Sequence, residues 1–171
     1  MTFWTNSGFE PKQDFKWQVT VETQSGTLPS FYAKSVKKPS FSVNMKTYKL
    51  VNREIRQPQN LIWEPIDVVF IDTVDSPILK FVKDYLEKTE YTNIKEASLQ
   101  NNTTSKEGSN SFLSNVTIEQ YDSIGTVVEK WTLYKPQISK FSASELNYDN
   151  DSLSTYTLTI DYDWANVSES A

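Results

Sequence analysis

Thr157-Leu-Thr-Ile-Asp-Tyr-Asp-Trp164 alternates polar and apolar residues with a period of two, and it closes a longer stretch built the same way. Upstream, Trp131-Thr-Leu-Tyr-Lys-Pro136 alternates too, and the acidic, Asn-rich Leu146-Asn-Tyr-Asp-Asn-Asp151 lies between them as a turn. A period of two sends successive side chains to opposite faces of a strand, one buried and one wet. The chain is therefore mainly β.

Working outward, the same signal returns along most of the 171 residues. Residues 16–23 alternate Trp17, Val19 and Val21 with polar neighbours, and Ser25-Gly26 supplies a turn. Residues 30–36 and 40–50 are strand candidates separated by Lys37-Lys38-Pro39, with Phe41, Val43 and Met45 on one face of the second. The apolar run 60–72 holds Pro65, which lacks the N–H a sheet ladder needs and so predicts an edge or a bulge there. Residues 116–121 and 126–134 flank Asp122-Ser-Ile-Gly125, a turn whose glycine takes positive φ. Strands over 138–141 and 153–164 complete the set, joined by the turn at 147–151.

One helix interrupts the strands. Asp75 or Ser76 caps it, Pro77 suits its first turn, and Ile78, Phe81, Val82, Tyr85 and Leu86 recur at helical spacing. Such a stripe is core packing. Residues 92–111 are mostly Asn, Thr, Ser, Lys and Glu and read as a long polar loop. Residues 1–15 form an N-terminal arm whose Phe3, Trp4 and Phe9 are candidate contacts, either on their own domain or on a neighbouring subunit. About eight strands and one flanking helix fit a single domain over 1–171. Its expected architecture is two packed antiparallel sheets, a sandwich or partly open barrel.

Composition narrows the chemistry. With no cysteine and no histidine, disulfides, thiolate nucleophiles, Ser-His-Asp triads and ordinary zinc sites are excluded. Carboxylate pairs remain at Asp149/Asp151 and Asp161/Asp163, which are ordinarily turn and surface residues, so no catalytic residue, metal or cofactor is expected. A net charge of −5 lacks the basic patch of a tight nucleic-acid binder. No apolar run is long enough to span a bilayer, and the N-terminal residues lack the features of a signal peptide. Asn-x-Ser/Thr matches such as Asn115 and Asn166 reflect composition.

Four segments, taken in order, resemble the tail tube family of contractile-tailed (T4-like) bacteriophages. They are Phe31-Tyr-Ala-Lys-Ser-Val-Lys-Lys-Pro39 with Tyr48-Lys-Leu-Val-Asn-Arg-Glu-Ile-Arg56, and the strand to Phe70 that runs into a helix at Asp75-Ser-Pro77. The others are Glu129-Lys-Trp-Thr-Leu-Tyr-Lys-Pro136, and Leu146-Asn-Tyr-Asp-Asn-Asp-Ser152 before the last strand. Where relatives often place a glycine and an aspartate before the last turn, this chain has Ser142-Ala-Ser-Glu-Leu-Asn147. The resemblance covers roughly residues 28–91 and 112–165.

What the resemblance implies is a structural virion protein: six copies form a ring, and rings stack into a tube inside a contractile sheath. The tube passes DNA without binding it specifically. Sheath and baseplate proteins are the implied partners, and the phage tail, assembled in the host cytoplasm, is the implied location. Two alternatives stand beside it: a baseplate-proximal initiator of the same family, and a carbohydrate- or receptor-binding β-sandwich using the tryptophans and tyrosines as stacking platforms. Within the tube reading, Arg53 and Arg56, the only two arginines, are candidate ring-stacking contacts in a hairpin or loop over 46–60. Asp161 and Asp163 are candidate lumen residues, because an acidic wall repels phosphates.

Overall fold

The computed structural model describes residues 12–24, 26–89, 105–148 and 152–169. Among them are eleven strands, two α-helices and a short 3-10 turn at Ser30–Tyr32. A five-stranded antiparallel sheet is built from β1 (Trp17–Thr23), β2 (Gly26–Leu28), β7 (Leu113–Tyr121), β8 (Val127–Tyr134) and β11 (Trp164–Glu169), in the order β11-β8-β7-β1-β2. A four-stranded sheet has the order β3-β6-β10-β9, from β3 (Ala33–Val36), β6 (Ile66–Ile71), β9 (Gln137–Ala143) and β10 (Thr155–Asp161). A third sheet holds only β4 (Ser40–Leu50) and β5 (Arg53–Glu64).

The inward faces of the two larger sheets form one core. Val19 and Val21, Val116 and Ile118, and Leu133 meet Ile66, Val68 and Phe70, and Leu158 and Ile160. Each set sits at alternate positions of its strand, as period-two patterning requires. Helix α1 (Pro77–Lys88) adds Ile78, Phe81 and Tyr85 to this core, while Val82 packs against it and Leu86 of the expected stripe stays exposed. Ser76, the N-cap, holds positive φ (40°) and makes no side-chain cap to the helix; its hydroxyl donates to the Thr73 carbonyl and the Asp72 carboxylate instead.

Four expectations need correction. Of the expected loop over 92–111, residues up to 104 lie outside the described ones and 106–111 are helical: Ser105 accepts the Gly108 N–H at 3.0 Å and caps helix α2 (Lys106–Phe112), whose Phe112 packs on Phe81 and Tyr85. The expected strand over 60–72 is two strands in two sheets, parted at Pro65. The expected terminal strand is also two, because the chain leaves the four-stranded sheet after Asp161 and enters the five-stranded sheet at Trp164. In 30–36 only the second half is strand. The turn at Asp122 is as expected: Gly125 has φ 91°, and the Asp122 carboxylate accepts the Ile124 and Thr126 N–H groups.

Candidate assembly surface

β4 and β5 make an arm. In the body, β3 pairs with β6 (Val36↔Val68); beyond the Lys37-Lys38-Pro39 link and Pro65, the same two runs of chain pair again as β4 and β5 (Ser40↔Glu64). The arm is thus the outward continuation of one two-stranded ribbon, joined by the Lys37 N–H to Asp67 carbonyl bond at 3.0 Å. Among the described residues neither arm strand pairs with a third. Eleven residues at about 3.4 Å each carry it roughly 35 Å from its root.

A lone two-stranded ribbon is marginal in water. This one also exposes Phe41, Met45, Tyr48, Leu50, Ile55 and Leu61. Apolar surface concentrated in that way marks an interaction site. At its tip, Val51 begins a two-residue turn with φ 36° and full exposure. A β-branched residue is strained there, at the first central position, where such hairpin turns favour glycine.

The arm's root is anchored to the body twice. Phe41 packs edge-on against Trp63 (5.4 Å between ring centres), and Trp63 meets Tyr162 of the β10–β11 corner at 5.9 Å. Burial, and then the negative charge of Glu64, push the Tyr162 hydroxyl up to about 12. The second anchor is Glu129 of β8, a side chain only 13% exposed. Its carboxylate accepts hydrogen bonds from Lys12 (2.7 Å), Lys38 (3.0 Å) and the Trp131 indole N–H. Burial pulls this carboxyl upward, but the bonds from Lys12, Trp131 and Lys38 outweigh it and hold the group at about 2. Lys38 belongs to the link that opens the arm, so Glu129 fixes where the arm departs.

The structure places the expected site residues unevenly. Arg53 and Arg56 lie within strand β5, not between strands, and being three apart they point to opposite faces of the arm. Asp161 ends β10 exposed, following Thr155, Thr157 and Thr159 on the outward face. Asp163 sits in the corner between sheets and accepts from Lys106 at 2.9 Å, with Lys135 at 3.9 Å. Phe3, Trp4 and Phe9 lie outside the described residues. The tip residues Tyr48, Leu50, Val51 and Ile55 fall within the expected hairpin or loop over 46–60, where only the two arginines are named as candidate contacts, and Glu129 carries no expected role.

Sheet margins are the other feature of this surface. β2 and β11 border the larger sheet, and β3 and β9 the smaller. The β9 margin is partly closed, because the Tyr85 hydroxyl accepts the Ile138 N–H at 3.3 Å. Among the described residues no group of three carboxylates is placed to hold a metal ion. Trp17 and Trp131 pack against the core, while Trp164 stacks on Tyr134 at 5.4 Å with the Lys135 ammonium over its ring.

No protein-family model matches the sequence, and no curated protein matches it either. Solved structures do match. A chain of the anti-feeding prophage baseplate superposes with a TM-score of 0.68 at 12% identity, over 94% of this chain and 97% of that one. A chain of the PVC sheath–tube complex, an extracellular contractile injection system in its extended state, gives 0.67 at 13% identity and covers 99% of both. A chain of the PVC sheath/tube terminator gives 0.68 at 13%, over 95% of this chain and 99% of that one. At such identities the likeness is one of fold, and it is the expected one: packed antiparallel sheets of the kind found in contractile-tail tube assemblies.

Proposed function

We propose that the chain is a structural, non-catalytic subunit of a contractile-tail tube. Six copies close a ring by completing one another's sheets at their margins, and rings stack through the arm into a conduit enclosed by a sheath. The observation that carries this reading is the arm. It is a long ribbon with exposed apolar side chains and, among the described residues, no third strand beside it, on a fold shared end to end with a chain of a sheath–tube complex.

Charge supports the same arrangement. Residues 41–63 hold four basic side chains (Lys46, Lys49, Arg53, Arg56) against one acid, Glu54, in a chain of net charge −5. A basic arm on an acidic body is complementary to another copy of itself. The acidic excess also suits DNA ejection, since a basic wall would hold phosphates at every ring. Asp161, beside the row of threonines on β10, is the lumen candidate; the charge of Asp163 is taken up by Lys106 and Lys135. The phage tail or a tail-like particle assembled in the host cytoplasm is the corresponding location.

Negative-stain electron microscopy of the purified protein tests the reading. Rings or tubes are expected, and the Arg53→Glu, Arg56→Glu double variant is expected to give shorter tubes or unstacked rings. A protein that stays monomeric at high concentration overturns it.

A further inference from the structure

We infer that residues 1–11 dock on their own chain, with Phe9 seated in an apolar cleft at the end of the sandwich where β1 begins and Trp4 in a second cleft beside it. Such docking takes place within one copy and holds whether or not copies assemble.

β1 is covered over only half its length. Its neighbour β2 pairs with Val21, Glu22 and Thr23, so Trp17 to Thr20 have β7 on one side and, among the described residues, no strand on the other. β3, the margin of the smaller sheet, lies against β1 along this flank. Two clefts open there, and Trp17 is a wall of both. The first holds about 240 Å³ and is walled by Trp17, Val36, Ile118 and Trp131, with Lys38 and Glu129 paired at its polar side. An apolar cavity of about 150 Å³ takes a benzene ring, so this one has room for a phenyl side chain. The second is wider, about 410 Å³, and is walled by Phe15, Trp17, Phe31 and Ala33. Phe15 and Phe31 are each 74% exposed, and apolar surface gathered in this way marks a contact.

The chain that precedes the described residues is tethered at this place. Lys12 is held at 2.7 Å by Glu129, itself a wall of the first cleft, and the Gln120 amide donates to the Gln13 carbonyl at 3.2 Å. Eleven residues come before Lys12; Phe3, Trp4 and Phe9 are large aromatics, and Glu10 is the one charged side chain. Phe9 is three residues from Lys12, a span of at most about 10 Å, which keeps it at this end of the sandwich. A hollow of about 210 Å³ that Lys12 also lines has Val128 as its one aliphatic wall residue and suits the ring less well. Trp4 lies five residues beyond Phe9, up to about 17 Å, enough to pass Trp17 and enter the second cleft. So short a tether gives Phe9 an effective concentration in the millimolar range. Another copy at micromolar concentration cannot compete with that, so the segment covers its own chain.

Because the chain has no cysteine, introduced thiols are the only ones, and cross-linking tests the docking directly. Gly8→Cys with Val36→Cys puts one thiol beside Phe9 and one in the wall of the first cleft. Thr5→Cys with Lys34→Cys does the same for Trp4 and the second cleft, at an exposed wall position that leaves the fold intact even where Val36→Cys weakens it. Gly8→Cys with Glu145→Cys is the control, since Glu145 follows β9, the far margin of the sheet that β3 borders. A short bismaleimide is added to dilute protein, and products are read by denaturing gel and intact mass. Both test pairs are expected to give an intrachain cross-link roughly tenfold faster than the control. Adding Phe9→Ala to the first pair, or Trp4→Ala to the second, should slow it roughly tenfold. A cross-linked dimer as the main product overturns the inference and makes the segment's target a second copy. Test pairs no faster than the control, or rates that the alanine changes leave untouched, overturn it as well.

Discussion

Lys38 Nζ lies 3.0 Å from Glu129 Oε1, so the link that opens the arm is pinned to the start of β8 by a nearly buried carboxylate. Lys12 and Trp131 share that carboxylate. Because the folded group sits at about 2 against an ordinary 4.5, it favours the folded state fully above pH 4.5. That contribution is lost as pH falls from 4.5 toward 2. Both lysines are about half exposed, which reduces its worth to about 1–3 kcal/mol. Glu129→Gln should lose this amount at neutral pH and flatten the acid limb of a stability–pH curve measured by urea denaturation.

Val51 offers a trade. Val51→Gly places at the arm tip the residue that such a turn favours and should relieve strain of about 1–3 kcal/mol. The same change removes an exposed apolar contact. Shorter tubes at equal protein concentration, counted in micrographs, are expected together with a melting temperature no lower than that of the wild type.

Gly108 is the point where α2 meets the end of α1. A Cβ there would lie 2.8 Å from Ser105 Oγ and 2.9 Å from the Lys88 carbonyl oxygen. The second atom is backbone and cannot swing aside. Gly108→Ala should cost about 1–3 kcal/mol, read as a lower urea midpoint with the slope unchanged.

The two arginines should not behave alike. Arg53 shares the tip face with Tyr48 and Ile55, whereas Arg56 sits on the polar side with Lys49 and Glu54. Arg53→Glu alone should weaken stacking more than Arg56→Glu alone. The critical concentration for tube formation by light scattering measures both.

Periodicity made the body legible. Val19 and Val21, Val116 and Ile118, and Leu158 and Ile160 alternate because each strand buries one side against a core, and that demand is local. Helix α1 was equally readable from its stripe and Pro77. Helix α2 was not: Lys106-Glu-Gly-Ser-Asn-Ser-Phe112 has one apolar residue, and what holds it is a contact with α1 far away in sequence. The corner at Tyr162 was hidden because alternation continues through 157–164 although the strand changes sheet. The arm was half legible. Strand 40–50 is legible with its bounds, and a hairpin or loop over 46–60 is expected, but nothing in the alternation extends the next strand back from residue 60 to Arg53. Pro58 and Pro65 together were the available sign, since neither suits a central strand. The three-residue step from Met45 to Tyr48 was another, because it breaks a period of two. The candidate tip residues stayed hidden because exposure is a property of the fold and not of the residue.

Pro65 and the Lys37-Lys38-Pro39 link mark a joint in a ribbon that is otherwise continuous from the body into the arm. Tension applied along the arm would run lengthwise through this ribbon and not across it. Its hydrogen bonds would then be sheared as a set instead of being peeled one at a time, so the arm would resist stretching far better than bending. Bending would collect at the proline joints.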